Sequence, residues 1–183
     1  ADPLSVAADF DGHPENAAAS VLGGLVTAAR VEGRAVAARM PLDPGLAFVL
    51  LVPSRPLPTA EARAALPARV AHADATFNLG RMGLLLAGLA DRRVLVPAAG
   101  EDRLHQPARA PLFPEAPGLL AALVSAGARS SCWSGAGPTL LAVCDAERAA
   151  GVRATGDRLL ADAGLAGRSL LLEPDLAGLA VCG

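Results

Sequence analysis

Lysine and tyrosine are absent from this 183-residue chain, and its aromatic side chains are four phenylalanines and one tryptophan. Without lysine there is no catalytic or Schiff-base lysine and no phosphate-binding loop of the GxxxxGK[ST] form. All 16 basic residues are therefore arginines, which reads as a bias toward GC-rich codons rather than as a binding device. With 52% of residues hydrophobic but so few of them aromatic, the core must be built from small aliphatic side chains. Runs of one charge sign are also missing. The formal charge of −2 is spread along the chain, which argues against nucleic-acid or polybasic membrane partners. The longest apolar stretches, 45–53 and 82–90, are too short to span a bilayer. Cys132, Cys144 and Cys182 are odd in number and form no CxxC pair, so neither a zinc ribbon nor a closed disulfide framework is indicated, and a reducing cytoplasm fits. The chain opens Ala1-Asp2-Pro3, with no initiator methionine, charged n-region or apolar h-region. From that start no signal peptide is expected, and a beginning inside a longer gene product is.

The pattern of elements is mixed. An alanine-rich run from Pro14 to Leu22, stopped by Gly23-Gly24, predicts a short helix entered from a loop. Two β-like runs, 25–31 and 35–40, flank Glu32-Gly33-Arg34 and predict a hairpin; 48–52 predicts a buried strand. Thr59 is placed to cap a helix containing 61–66, and apolar spacing over 68–89, including Val70, Ala73, Phe77, Leu84 and Leu85, predicts the longest helix. Pro-rich stretches at 53–58 and 107–117 mark loops. Further helices are expected at 119–126 and 146–163, with strands at 129–133, 139–144, 168–173 and 178–181. The arrangement implies an α+β or α/β sandwich.

Three segments concentrate chemistry. In Asp9-Phe10-Asp11-Gly12-His13-Pro14-Glu15-Asn16, polar side chains crowd a loop before a helix. Carboxylates there suit a hard cation such as Mg²⁺, though the same residues equally describe a capped surface helix. His13 has no partner at i+4, which disfavours a metalloprotease. Arg63 and Arg109 are guanidinium forks of the kind that grip a carboxylate, although a lone arginine is more often simply solvated. Ser134-Gly135-Ala136-Gly137-Pro138 is a glycine-rich turn that would let backbone amides approach an anion; it lacks the GxGxxG spacing of a dinucleotide site.

Taken together, GHPEN at 12–16, TAEAR at 59–63, LHQPAR at 104–109 and SGAGP at 134–138 resemble the motifs of GHMP-family kinases, most closely the homoserine kinases. The resemblance implies that His13, Glu15 and Asn16 lie at the amino-acid substrate, with Asn16 in the place where some relatives carry a catalytic aspartate. It implies that Arg63 and Arg109 bind the substrate carboxylate, that Asp11 is the Mg²⁺ ligand with Asp9 second, and that Ser134, Gly135, Ala136 and Gly137 belong to the ATP site, packing beside the phosphate-binding loop and steadying it. Glu15 stands where the family usually has Asp, and Ser130-Ser131-Cys132-Trp133 departs from the usual small apolar residues. The segment 77–81, Phe-Asn-Leu-Gly-Arg, also matches.

The implied fold is a GHMP kinase α+β fold, with residues 1–42 ending a first domain and 43–183 forming a ferredoxin-like second domain. The implied reaction is transfer of phosphate from ATP, with Mg²⁺, to the side-chain hydroxyl of L-homoserine in threonine biosynthesis. Another small alcohol as substrate, or a non-catalytic ligand-binding module, are the alternatives, and a homodimer is left open. The family's PxxxGLGSSA phosphate-binding motif has no counterpart here, so the resemblance covers about the last three-fifths of a typical member. The isolated chain is accordingly expected to be inactive.

Overall fold

The computed structural model describes residues 2–180. They belong to two compact units, Ala1–Asp43 with Glu173–Gly183, and Pro44–Leu172.

The first unit begins with a helix where the sequence suggests a loop. Asp2 accepts the amide protons of Leu4 and Ser5, Pro3 occupies the first turn, and α1 runs over Pro3–Asp11 until Gly12 ends it at φ 76°. Asp9, Phe10 and Asp11 are thus helical, and only Gly12 and His13 remain as a link to α2 (Pro14–Leu22). β1 (Leu25–Val31) and β2 (Arg34–Met40) form the expected antiparallel hairpin. Glu32 at φ 50° and Gly33 at φ 80° give it a two-residue turn with both centres left-handed, the geometry that matches strand twist. The expected strand at 178–181 does not form over 178–180, and Val181 lies outside the described residues. The returning chain instead lies against the end of α2: the amide of Gly24 donates to the Asp175 carbonyl at 2.7 Å, and that of Leu179 to Val21 at 3.1 Å. A Cβ on Gly23 would come within 2.6 Å of the Gly178 nitrogen, so this approach needs glycine.

In the second unit β3 (Leu46–Pro53), β4 (Ser130–Trp133), β5 (Leu140–Asp145) and β6 (Gly167–Leu172) make one antiparallel sheet in the order β4-β5-β3-β6. With α6 (Ala116–Ser125) before β4 and α7 (Ala146–Asp162) before β6, the chain follows the β-α-β-β-α-β path of a ferredoxin-like sandwich. Side-chain alternation explains the layering. Val49 and Leu51 of β3 and Leu140, Ala142 and Cys144 of β5 join Leu119 and Leu123 of α6 and Val152 and Leu160 of α7 in one apolar cluster. Phe113 and Trp133 are the only aromatics in that cluster, their ring centroids 6.0 Å apart and nearly perpendicular at 71°, and the rest is aliphatic as the composition requires.

The long insertion between β3 and β4 carries α3 (Thr59–Ala64), α4 (His72–Ala90) and α5 (Gln106–Arg109). Thr59 is not a cap: Pro58, held extended at φ −58° and ψ 133°, precedes the helix and Thr59 is its first residue. α4 begins at His72 rather than at 68, because Ala71 is extended and Val70 is 49% exposed. The proline-rich stretch over 107–117 is not simply loop, since Pro107 and Pro117 sit in the first turns of α5 and α6, where a missing N–H costs nothing. No helix among the described residues is long and apolar enough to cross a membrane.

Candidate active site

In the second unit the organising group is Asp102, whose side chain is only 6% exposed. Its Oδ2 accepts the amide protons of His105 and Gln106, each at 2.6 Å, and its Oδ1 accepts from Nδ2 of Asn78 on α4. The Asn78 oxygen in turn accepts from the amide of Arg103 at 2.9 Å. Burial pushes the Asp102 carboxyl up, but the amides of Gln106 and His105 and the Asn78 donor outweigh it and hold the group below its ordinary value. These bonds anchor the start of α5. On its first residue, Gln106 extends Nε2 to the Gly100 carbonyl at 2.9 Å and accepts from the Trp133 amide at 3.4 Å, tying α5 to β4.

The last residue of α5 is Arg109, 8% exposed. Its Nε donates to the Ala62 carbonyl of α3 and its Nη1 to the Gly135 carbonyl, both at 3.1 Å; Nη1 also faces His105 Nδ1 at 3.3 Å. Nη2 makes no hydrogen bond to the described residues. Arg63 follows Ala62 on α3, near enough that, after burial, its charge helps to depress the ionisation of Arg109 against the opposing pull of Asp102. Of the residues singled out from sequence, Arg63, Arg109 and the glycine turn are therefore brought together. Two guanidinium groups near enough to repel one another make a setting in which an anion is stabilising.

The turn itself is built on glycine. Gly135 at φ 59° and Gly137 at φ 83° are left-handed, the Ser134 amide donates to Thr139 at 2.9 Å and the Gly137 amide to Ser134 at 3.1 Å. A Cβ on Gly137 would collide with the indole of Trp133, which is buried at 4% exposure directly beneath it. The tryptophan that departs from the small residues usual at that place is thus the floor of the turn.

In the first unit His13 occupies the N-cap position of α2 with an extended backbone, and its Nδ1 lies 2.9 Å from the Asp11 carbonyl. Glu15 and Asn16 follow in the first turn of α2, both exposed. Asp9 is engaged elsewhere: Arg30 of β1 pairs with its Oδ1 at 3.2 Å while donating to the Ala8 carbonyl, which pins α1 to the hairpin. Among the described residues no group of three or more His, Cys, Asp or Glu side chains could hold a metal ion. Asp11 offers a single exposed carboxylate, which is enough for a cation that takes one or two carboxylates and fills its remaining positions with water and phosphate oxygens.

Residues 78–159 match the family of GHMP kinases C terminal. Homoserine kinase of Moorella thermoacetica is 41% identical over 145 residues, covering 79% of this chain and 49% of that one. Homoserine kinase of Desulfitobacterium hafniense is 36% identical over 179 residues, covering 97% of this chain and 60% of its own. The solved structure of homoserine kinase from Cytophaga hutchinsonii superposes with a TM-score of 0.81 at 25% identity, over 91% of this chain and 53% of that one. Mevalonate kinase of L. major shares the fold alone, with a TM-score of 0.54 at 12% identity. The chain spans about half the length of these and similar curated relatives.

The Phe77-to-Arg81 segment has a physical role. Phe77 lies between the guanidinium carbons of Arg81 and Arg103, 4.2 and 3.9 Å from its ring centroid, and those arginines pair with Glu101 and Asp74. Arg81 is thus a packing residue, and Asn78 is the one that reaches Asp102. Sequence reading did not single out Asp102 or Gln106. The available signal was an aspartate three and four residues ahead of two amides that open a helix, the spacing at which Asp satisfies orphan N–H groups.

Proposed function

We propose that the whole protein is a homoserine kinase, transferring the terminal phosphate of ATP, with Mg²⁺, to the side-chain hydroxyl of L-homoserine to give O-phospho-L-homoserine. The observation that carries this reading is Arg109: a buried guanidinium with Nε and Nη1 committed to carbonyls, Nη2 left over, and Arg63 beside it. That is a receptor for a carboxylate, a group that L-homoserine carries and a sugar alcohol acceptor such as galactose lacks. Support also comes from the relatives named homoserine kinase.

In this reading His13, Glu15 and Asn16 hold the amino acid, Asn16 orients the accepting hydroxyl, and Arg63 and Arg109 take its carboxylate. Asp11 supplies a carboxylate to Mg²⁺, which would neutralise charge on the phosphates. Ser134, Gly135, Ala136 and Gly137 stand at the phosphate side, their turn held open by glycine. Positioning and charge stabilisation account for most of the catalysis of phosphoryl transfer, so an amide at position 16 suffices to orient the hydroxyl. In this reading the reaction belongs to threonine biosynthesis and runs in the cytoplasm.

The test is ADP release by the full-length protein with L-homoserine, mevalonate or galactose as acceptor, with the product identified by phosphorus NMR. Turnover confined to L-homoserine supports the reading; turnover with another alcohol and none with homoserine refutes it and assigns a different acceptor.

A further inference from the structure

We propose that Asp102 is a positioning residue for substrate binding: through the opening amides of α5 and the ring of His105 it holds the Arg109 guanidinium in the orientation that receives the substrate carboxylate. The proposal rests on the reading of Arg109 as a carboxylate ligand.

Arg109 is carried on a helix of four residues, too short to hold its own direction. Its orientation comes from outside. Asp102 takes the two N–H groups that open the helix, and so fixes the backbone from which Arg109 projects. A second connection runs through side chains. His105 Nδ1 lies 3.3 Å from Arg109 Nη1, and His105 Nε2 lies 3.5 Å from Asp102 Oδ1. Because a guanidinium only donates, Nδ1 must accept, and the ring proton then sits on Nε2, facing the carboxylate. An aspartate that selects this tautomer steadies the acceptor on which Arg109 leans.

The charges agree with the geometry. Arg63 repels the Arg109 cation and Asp102 attracts it, so the buried carboxylate offsets a repulsion that the carboxylate of the substrate would otherwise have to overcome alone. Asn78 closes the assembly from α4, donating to Asp102 while accepting from Arg103. Asp102 accepts from donors on both oxygens, and an asparagine in its place would turn an NH₂ toward N–H donors on one side. Asp102→Asn is therefore not a silent exchange.

The experiment uses the full-length protein. In Asp102→Asn, KM for L-homoserine should rise about tenfold, while kcat and KM for MgATP change by no more than about twofold. The inhibition constant of 3-aminopropan-1-ol, which is homoserine without its carboxylate, should not move. Equal loss for homoserine and the amino alcohol, or no change in KM for homoserine, would overturn the proposal, because a cap with a purely structural role has no reason to discriminate between them. A second arm needs no substrate: in arginine-labelled protein the Arg109 Nε–Hε resonance, assigned by its absence from Arg109→Lys, is shielded by Ala62 and should exchange about tenfold faster in Asp102→Asn. An unchanged resonance overturns the coupling whatever the kinetics show. A moved resonance in a protein that does not turn over homoserine refutes the substrate reading and leaves the coupling standing. Should Asp102→Asn fail to fold, Asn78→Ala withdraws one of the three donors to Asp102, together with the acceptor of the Arg103 amide, and carries both arms with smaller shifts.

Discussion

The Arg109 guanidinium donates to the Gly135 carbonyl over 3.1 Å, so the side chain read as a substrate ligand is also a strut of the glycine turn. Lysine cannot replace it. Its single nitrogen cannot reach Ala62, Gly135 and a ligand in the same geometry. In the full-length protein Arg109→Lys should raise KM for the amino acid about tenfold to a hundredfold, the equivalent of about 1.5–3 kcal/mol for a lost charge-assisted bond, in steady-state assays. A change confined to kcat would speak against the carboxylate role.

Acid should destabilise the protein in two stages. His105 is held below its ordinary 6.5, first by burial and then by Arg109, against the pull of Asp102. Between 6.5 and its lower folded value the unfolded chain binds the extra proton, so stability falls as pH falls through that window. Asp102 is also depressed, and its contribution is complete above 3.8 and is lost as pH falls below that toward its folded value. Denaturant midpoints measured against pH should show both declines. His105→Gln should flatten the first and Asp102→Asn the second.

Two glycines of α7 predict opposite outcomes from the same substitution. A Cβ on Gly151 meets nothing within 4 Å, whereas one on Gly156 would lie 2.5 Å from Ser169 Oγ and 2.8 Å from Leu51 Cδ1. Gly151→Ala should stabilise by about 1 kcal/mol through helix propensity alone. Gly156→Ala gains the same propensity but forces α7 from β3 and β6, and overpacking of about 1–3 kcal/mol should leave it neutral to destabilised by about 2 kcal/mol. Thermal or denaturant melts of the two variants decide the matter.

Cys132 and Cys144 should be inert in the folded protein. Burial, reinforced by Asp102 for the first and Asp145 for the second, pushes each thiol up to about 11. Since the thiolate is the nucleophile, alkylation at pH of about 8 should be negligible under native conditions and rapid in denaturant. Peptide mass mapping would check it; labelling of Cys132 or Cys144 in the native state would contradict this packing.

Much of the fold was legible because it rests on local signals. The hairpin follows from Glu-Gly between two β-rich runs, α2 from an alanine run between proline and glycine, and β3 from a continuous apolar stretch bounded by turn residues. α1 was not legible, because its two aspartates and the following glycine look like a loop until Asp2 is seen capping its start. α4 misleads in the opposite way. Its apolar residues keep helical spacing, yet Leu79 and Met82 are 75% and 54% exposed, since periodicity reports which side chains share a stripe and not what covers it.

By itself the sequence determined the aliphatic character of the core, the exclusion of lysine chemistry, and the motifs that mark the family, because each of these is a property of residue identity and short spacing. Only the tertiary structure decided that Arg63, Arg109 and Gly135 are neighbours, although 26 residues separate the last two. It likewise decided that Asp9 belongs to Arg30 and that a buried aspartate on the approach to α5 governs the aim of Arg109. Those are relations between elements, set by strand order and by the packing of the long insertion, and they leave no mark at any one position in the chain.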